Sequence, residues 1–96
     1  MDEQENNDVR LFAERMERQL ELNEWKDGWT EVETSFLIEQ FRNKIHTVNQ
    51  MFDMSIIASL DKYNSSVEMI QALQRFLADT ANYAMMISGN IGRTLK

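Results

Sequence analysis

A chain of 96 residues with 43% hydrophobic and 27% charged residues has room for one domain. It has no Cys, which excludes disulfides, thiolate metal sites and cysteine nucleophiles, and no Pro to interrupt helices. A net charge of −6 argues against direct nucleic-acid binding, because phosphate contacts need Lys and Arg. No apolar run approaches the roughly 20 residues that span a bilayer, and MDEQENNDVR is acidic where a signal peptide is basic. The expectation is a soluble, cytoplasmic protein with no membrane partner.

The charge is uneven. Residues 1–33 carry eleven acids and four bases, whereas residues 34–96 carry five acids and six bases. The negative field therefore belongs to one end of the fold. Residues 1–7 read as a flexible acidic N-terminus, and 8–96 as a single helical domain.

The apolar spacing repeats at three and four, the period of helices, and predicts three of them. The first spans about Asp8 to Asn23, with Phe12, Met16 and Leu20 on one arc. Glu14, Glu17, Glu21 and Glu24, spaced 3, 4 and 3, form an adjacent row of carboxylates, interrupted only partly by Arg10, Arg15 and Arg18. A turn at Trp25 to Trp29 follows. Thr30 and Glu33 match a capping box that would open a second helix from about Glu31 to Met54. Its stripe is Leu37, Phe41, Ile45, Val48 and Phe52. Residues 55–64 read as a connection, with a helical turn at Ile56–Leu60. Ser65 and Glu68 form a second capping pattern for a long third helix reaching Thr94. Its stripe is Ile70, Leu73, Leu77, Ala81, Ala84, Ser88, Ile91 and Leu95, widened by Met69, Phe76, Tyr83 and Ile87. Three helices with this much apolar circumference cannot cover one another alone, so the expected architecture is an all-α, three-helix protomer pairing into a dimeric helical bundle.

Three segments, VRLFAERMERQL, the Gly28-Trp29 turn and LADTANYAMMI, occur in the order seen in a known family. From Val9 to about Asn90 the chain resembles the small MazG-like, all-α nucleotide pyrophosphohydrolases. That resemblance implies dimeric bundles that bind Mg²⁺ and split nucleoside triphosphates into monophosphate and pyrophosphate. The family's chemistry uses Glu-Glu-x-x-Glu on helix two and Glu-x-x-Asp on helix three, because Mg²⁺ is a hard ion that takes oxygen ligands. In register, these motifs fall on Asn43, Lys44 and Thr47, and on Phe76 and Asp79. Of five carboxylates, only Asp79 remains. Lys44 places positive charge where a cation belongs, and the amide of Asn82 cannot replace several carboxylates. The resemblance thus implies a retained scaffold with its reaction lost, leaving Trp29, Lys44, Thr47, Asp79 and Asn82 as a vestigial nucleotide pocket.

Other residues invite chemistry and read better as structure. His46 is the only His and has neither partners for a triad nor co-ligands for zinc. Met85 and Met86 at helical spacing read as core filling, and Trp25 and Trp29 as packing against helix one. Gly89 to Gly92 lacks the preceding strand of a phosphate loop and should weaken the end of helix three.

The acidic row is the strongest positive signal. Like charges three and four residues apart stand roughly 5–6 Å from one another on a helix, a destabilising arrangement unless it serves a partner. Asp27, Glu31 and Glu33 extend the patch, and pairing would double the charge to −12. Duplex DNA presents about one charge per 1.7 Å of axis, and its binders offer rows of Lys and Arg. The leading expectation is therefore a non-catalytic acidic dimer without a cofactor that mimics DNA and inhibits a basic nucleic-acid-binding protein, a design frequent among small virus-encoded proteins. Glu14, Glu17, Glu21, Glu24, Asp27, Glu31 and Glu33 would form its surface. Two alternatives stay open. One is a weak Mg²⁺-dependent pyrophosphohydrolase using Asp79 and Asn82. The other is a nucleotide binder without turnover, using Trp29, Lys44 and Asn82.

Overall fold

A computed structural model describes residues 1–25, 27–53 and 67–95, and every regular element among them is helical. Helix α1 spans Glu3–Leu22, a single 3-10 turn spans Trp29–Glu31, α2 spans Thr34–Asp53 and α3 spans Val67–Thr94. The expected connection at 55–64, with its helical turn, lies outside the described residues, as does Ser65 of the second capping pattern.

Helix α1 starts at Glu3, well before the Asp8 that apolar periodicity predicts. Asp2 is its N-cap: the Asp2 carboxylate accepts the Glu5 amide at 2.8 Å, and the Glu5 carboxylate accepts the Asp2 amide at 3.5 Å. This reciprocal box satisfies amides that a helix start leaves free, and Glu3 and Glu5 suit the positive end of the helix dipole. The first seven residues, expected as a flexible end, are therefore mostly helix. Their polarity hid this, because the stripe that reveals a helix begins only where α1 meets the rest of the protein.

At its other end α1 closes with a Schellman motif. The Glu24 amide donates to the Glu21 carbonyl at 3.2 Å, and the Trp25 amide donates to the Leu20 carbonyl at 2.7 Å. Leu20 and Trp25, the two side chains this motif brings together, both pack on the core. The position that must turn left-handed is Glu24, with φ at 62°, where glycine is usual. Glu24 thus leaves the helix, and the carboxylate row on α1 itself is Glu14, Glu17 and Glu21 alone.

Gly28, at φ 91°, supplies a second left-handed residue and starts the 3-10 turn. Thr30 falls inside that turn, and its hydroxyl makes no hydrogen bond among the described residues, so the expected Thr30–Glu33 capping box does not form. Helix α2 begins at Thr34 instead, with the Glu33 carbonyl accepting from Phe36 at 3.1 Å and Leu37 at 3.3 Å.

Helix α3 is the spine, and α1, α2 and the 3-10 turn all lie against it. Its 28 residues span about 42 Å at 1.5 Å per residue, within an overall length of 49 Å. The radius of gyration is 15.3 Å, whereas a compact domain of this length has about 12–13 Å. The chain is elongated and its core is thin. Leu37, Tyr83 and Met86 form that core, flanked by Leu20, Trp25, Trp29, Val32 and Phe41, and Trp25 meets Tyr83 edge-on at 6.4 Å. Met86 is fully buried and Met85 packs beside it, so both fill the core.

The inward face of α3 keeps Leu73 and Tyr83 from the predicted pattern and departs from its stripe further along. Asp79, Asn82, Tyr83, Met86 and Asn90 are buried, whereas Ala84, Ser88, Ile91 and Leu95 are exposed. Asp79, Asn82 and Asn90 point inward because each finds a partner across the fold, which offsets the cost of burying it. Asn90 donates to the Trp29 carbonyl at 3.2 Å and the Val32 carbonyl at 3.5 Å, holding the 3-10 turn against α3. Arg93 in turn donates to Asn90. The helix accordingly runs through Gly89 and Gly92 without a break.

Candidate functional site

The residues placed in a vestigial pocket separate into different environments. Lys44 and Asp79 meet directly, with Nζ 2.8 Å from Oδ2, at the edge of a cavity of about 190 Å³. Asn23, from the end of α1, donates to the other Asp79 oxygen at 3.0 Å. Phe76 lies one turn before Asp79 on α3, and its ring centre is 5.8 Å from the same ammonium. Gln19 and Arg75 also line the cavity. Three helices therefore contribute to one polar cluster. The Lys44 side chain is 30% exposed and that of Asp79 12%, so solvent screens the pair from one side.

Asn82 does not open onto this cavity. It is 1% exposed and donates to the Met16 carbonyl at 2.8 Å, tying α3 to α1. Its Oδ1 is buried and has no hydrogen-bond partner among the described residues. A buried acceptor of that kind costs about 1–3 kcal/mol. Trp29 packs on the hydrophobic core, and its carbonyl serves Asn90. Thr47 donates back to the Asn43 carbonyl of its own helix at 3.2 Å, and His46 is exposed. Among the residues of the expected pocket, only Lys44 and Asp79 share a cavity.

Sequence reasoning missed Gln19, Asn23 and Arg75 in this cluster. Gln19 and Asn23 left a signal. Phe12, Met16, Gln19 and Asn23 are spaced 4, 3 and 4, so the amides continue the inward arc of α1. A polar residue on a core arc needs a partner, and Asp79 is that partner for Asn23.

The seven acids lie elsewhere. Glu14, Glu17, Glu21, Glu24, Asp27, Glu31 and Glu33 are all exposed, and none of their carboxylates accepts a hydrogen bond or forms an ion pair among the described residues. On α1 the carboxylates project away from the arc of Phe12, Met16 and Gln19, at about 100° of rotation per residue. Arg15 and Arg18 fall between the two faces, beside α3. Helix α1 therefore carries an acidic ridge outward and arginines sideways.

As a metal centre the donors are poor. Among the described residues no group of three His, Asp or Glu stands close enough to share an ion. Lys44 already supplies the positive charge against Asp79. No helix among the described residues is long and apolar enough to cross a membrane. Compared with known proteins, the chain matches no family model, no curated protein and no solved structure.

Proposed function

We propose that this protein is a non-catalytic, acidic interaction module, built on a MazG-like scaffold, that occupies the DNA-binding surface of a basic protein. The observation that carries this reading is the set of seven exposed carboxylates with no partner among the described residues. Solvated like charges close together in the chain raise a potential that steers a basic partner and makes association fast and salt-sensitive. Glu24 adds weight: an exposed carboxylate stands just past α1 at the left-handed position where glycine is favoured, held there at a conformational cost.

Pairing of two protomers belongs to the same reading. A groove of about 490 Å³ between α2 and α3 is lined by Ile38, Phe41, Ala84, Ile87, Ser88 and Ile91, and Ile45 and Phe52 are exposed on the same side of α2. Covering this face with a second copy would bury it and double the acidic charge. The reading needs no cofactor. The engagement of Asp79 by Lys44 and Asn23 weighs against the pyrophosphohydrolase alternative, which would need that carboxylate for Mg²⁺.

The test compares wild type with Glu14→Lys/Glu17→Lys/Glu21→Lys for capture of basic DNA-binding proteins from a lysate at low salt. Wild type should capture them and release them to excess duplex DNA, and the triple variant should not capture them. Equal capture by the variant, or capture that duplex DNA leaves unchanged, sinks the reading.

A further inference from the structure

The side of α1 away from the acidic ridge carries an opposite feature. Arg15 and Arg18 face Gln71, Gln74 and Arg75 of α3 across an open groove of about 330 Å³. The groove shares Gln19 and Arg75 with the Lys44–Asp79 cavity, and Arg15 and Gln74 with a hollow floored by Leu11 and Phe12. No acid lines it.

The three guanidinium groups have no ion pair or hydrogen bond among the described residues, although nearby acids could have served. Glu14 stands four residues before Arg18, the favourable order on a helix, yet no bridge forms. Asp79 stands four residues after Arg75, but Lys44 and Asn23 hold both its oxygens. Each guanidinium keeps up to five donors in a planar fork that matches phosphate oxygens two at a time. Clustered cations repel one another unless an anion joins them, and the glutamine amides offer further neutral donors.

We propose that the α1–α3 groove is a binding site for a small phosphate-bearing anion, its phosphoryl oxygens held by Arg15, Arg18 and Arg75. An extended polyanion is disfavoured, because it would have to pass the carboxylates on the same helix. Val9, Leu11 and Phe12, next along the groove, provide an apolar resting place for the uncharged body of a ligand whose phosphate is on the arginines, while Asp8 at the far side of that hollow keeps the phosphate itself at the arginine end. The proposal is independent of the acidic ridge and uses none of its residues.

Inorganic pyrophosphate is the probe, measured by calorimetry at low ionic strength with a thermal-unfolding scan beside it. Pyrophosphate should bind and raise the unfolding temperature, and Arg15→Gln or Arg75→Gln should each weaken binding by about tenfold, the loss of one charge-assisted bidentate contact. Arg10→Gln is the control, since Arg10 bonds Asn7 outside the groove, and it should bind as wild type does. Backbone and side-chain amide shifts of wild type need no variant: pyrophosphate should move Gln71 and Gln74. Absence of binding, equal losses in Arg10→Gln and Arg75→Gln, or a preference for citrate over pyrophosphate would each overturn the proposal. So would salt-sensitive self-association abolished by Arg75→Gln, which would assign the groove to the acidic ridge of a second copy.

Discussion

The inside of this protein is more polar, and part of its outside more apolar, than a self-sufficient fold would choose. Along the seams of α3, Asp79, Asn82 and Asn90 are buried and bonded to distant backbone or side-chain groups. Elsewhere, Phe36, Ile45, Phe52 and Ile91 stay in water. The two regions solve different problems. Each buried polar side chain bonds particular partners, so it fixes how the helices sit against one another, whereas the outward apolar side chains contribute little to the single chain that bears them. Contacts inside should therefore govern folding, and contacts outside should govern assembly.

The largest test of that division sets Leu37 against Ile91. Leu37 is fully buried, and Leu37→Ala should lower stability by about 2–5 kcal/mol through lost transfer energy and the cavity left behind. Ile91 is 49% exposed, and Ile91→Ala should change unfolding of the dilute protein by less than about 0.5 kcal/mol. The same variant should weaken self-association in sedimentation at rising concentration. Urea unfolding at two concentrations separates the effects, because only the assembled state gains from mass action. Equal losses for both variants would erase the distinction between the regions.

A smaller effect is expected at the polar seam. Asp79→Ala removes the acceptor for Asn23 and the counter-ion of Lys44, and urea unfolding should show a loss of about 1–3 kcal/mol, below the full cost of a buried pair because solvent reaches Lys44. In the Lys44→Met/Asp79→Leu double variant the loss should shrink, since neither charge is then left without its partner. A double variant that loses as much as Asp79→Ala would mean that the cluster holds the helices by hydrogen bonding to Asn23 more than by charge.

How much of this was legible follows from where the information lies. The three helices are written locally, in runs of apolar residues at three and four, and they are found. The register of α3 is not local. Hydropathy turns Asp79, Asn82 and Asn90 outward, but their partners are the Asn23 side chain, the Met16 carbonyl and the carbonyls of Trp29 and Val32, up to 66 residues away in sequence. A backbone carbonyl free to accept a bond leaves no mark on a sequence. The start of α2 shifts for a related reason: Thr30 and Glu33 have the right spacing, but the turn begun by Gly28 and held by Asn90 takes up Thr30 first. The site is legible in pieces. Lys44 and Asp79 stand out by chemical type, while the arginine groove depends on α1 and α3 facing one another, which no single helix records.

The smallest expected effect is also of opposite sign. Glu24 occupies the left-handed position of the Schellman motif, where a side chain crowds the backbone and glycine does not. Glu24→Gly should therefore stabilise the fold, by about 0.5–1 kcal/mol in urea unfolding, the relief at this position outweighing the added freedom of the unfolded chain. The substitution removes one of the seven exposed carboxylates and leaves the hydrogen bonds of the Glu24 and Trp25 amides in place. If the ridge serves a basic partner, the more stable variant should bind that partner more weakly, with most of the loss in the association rate and visible chiefly at low salt. Glu24→Gln separates charge from conformation, since it keeps the crowding and loses the charge. Weaker capture by both variants, with stabilisation in the glycine variant alone, would show that this turn accepts strain in order to hold a carboxylate.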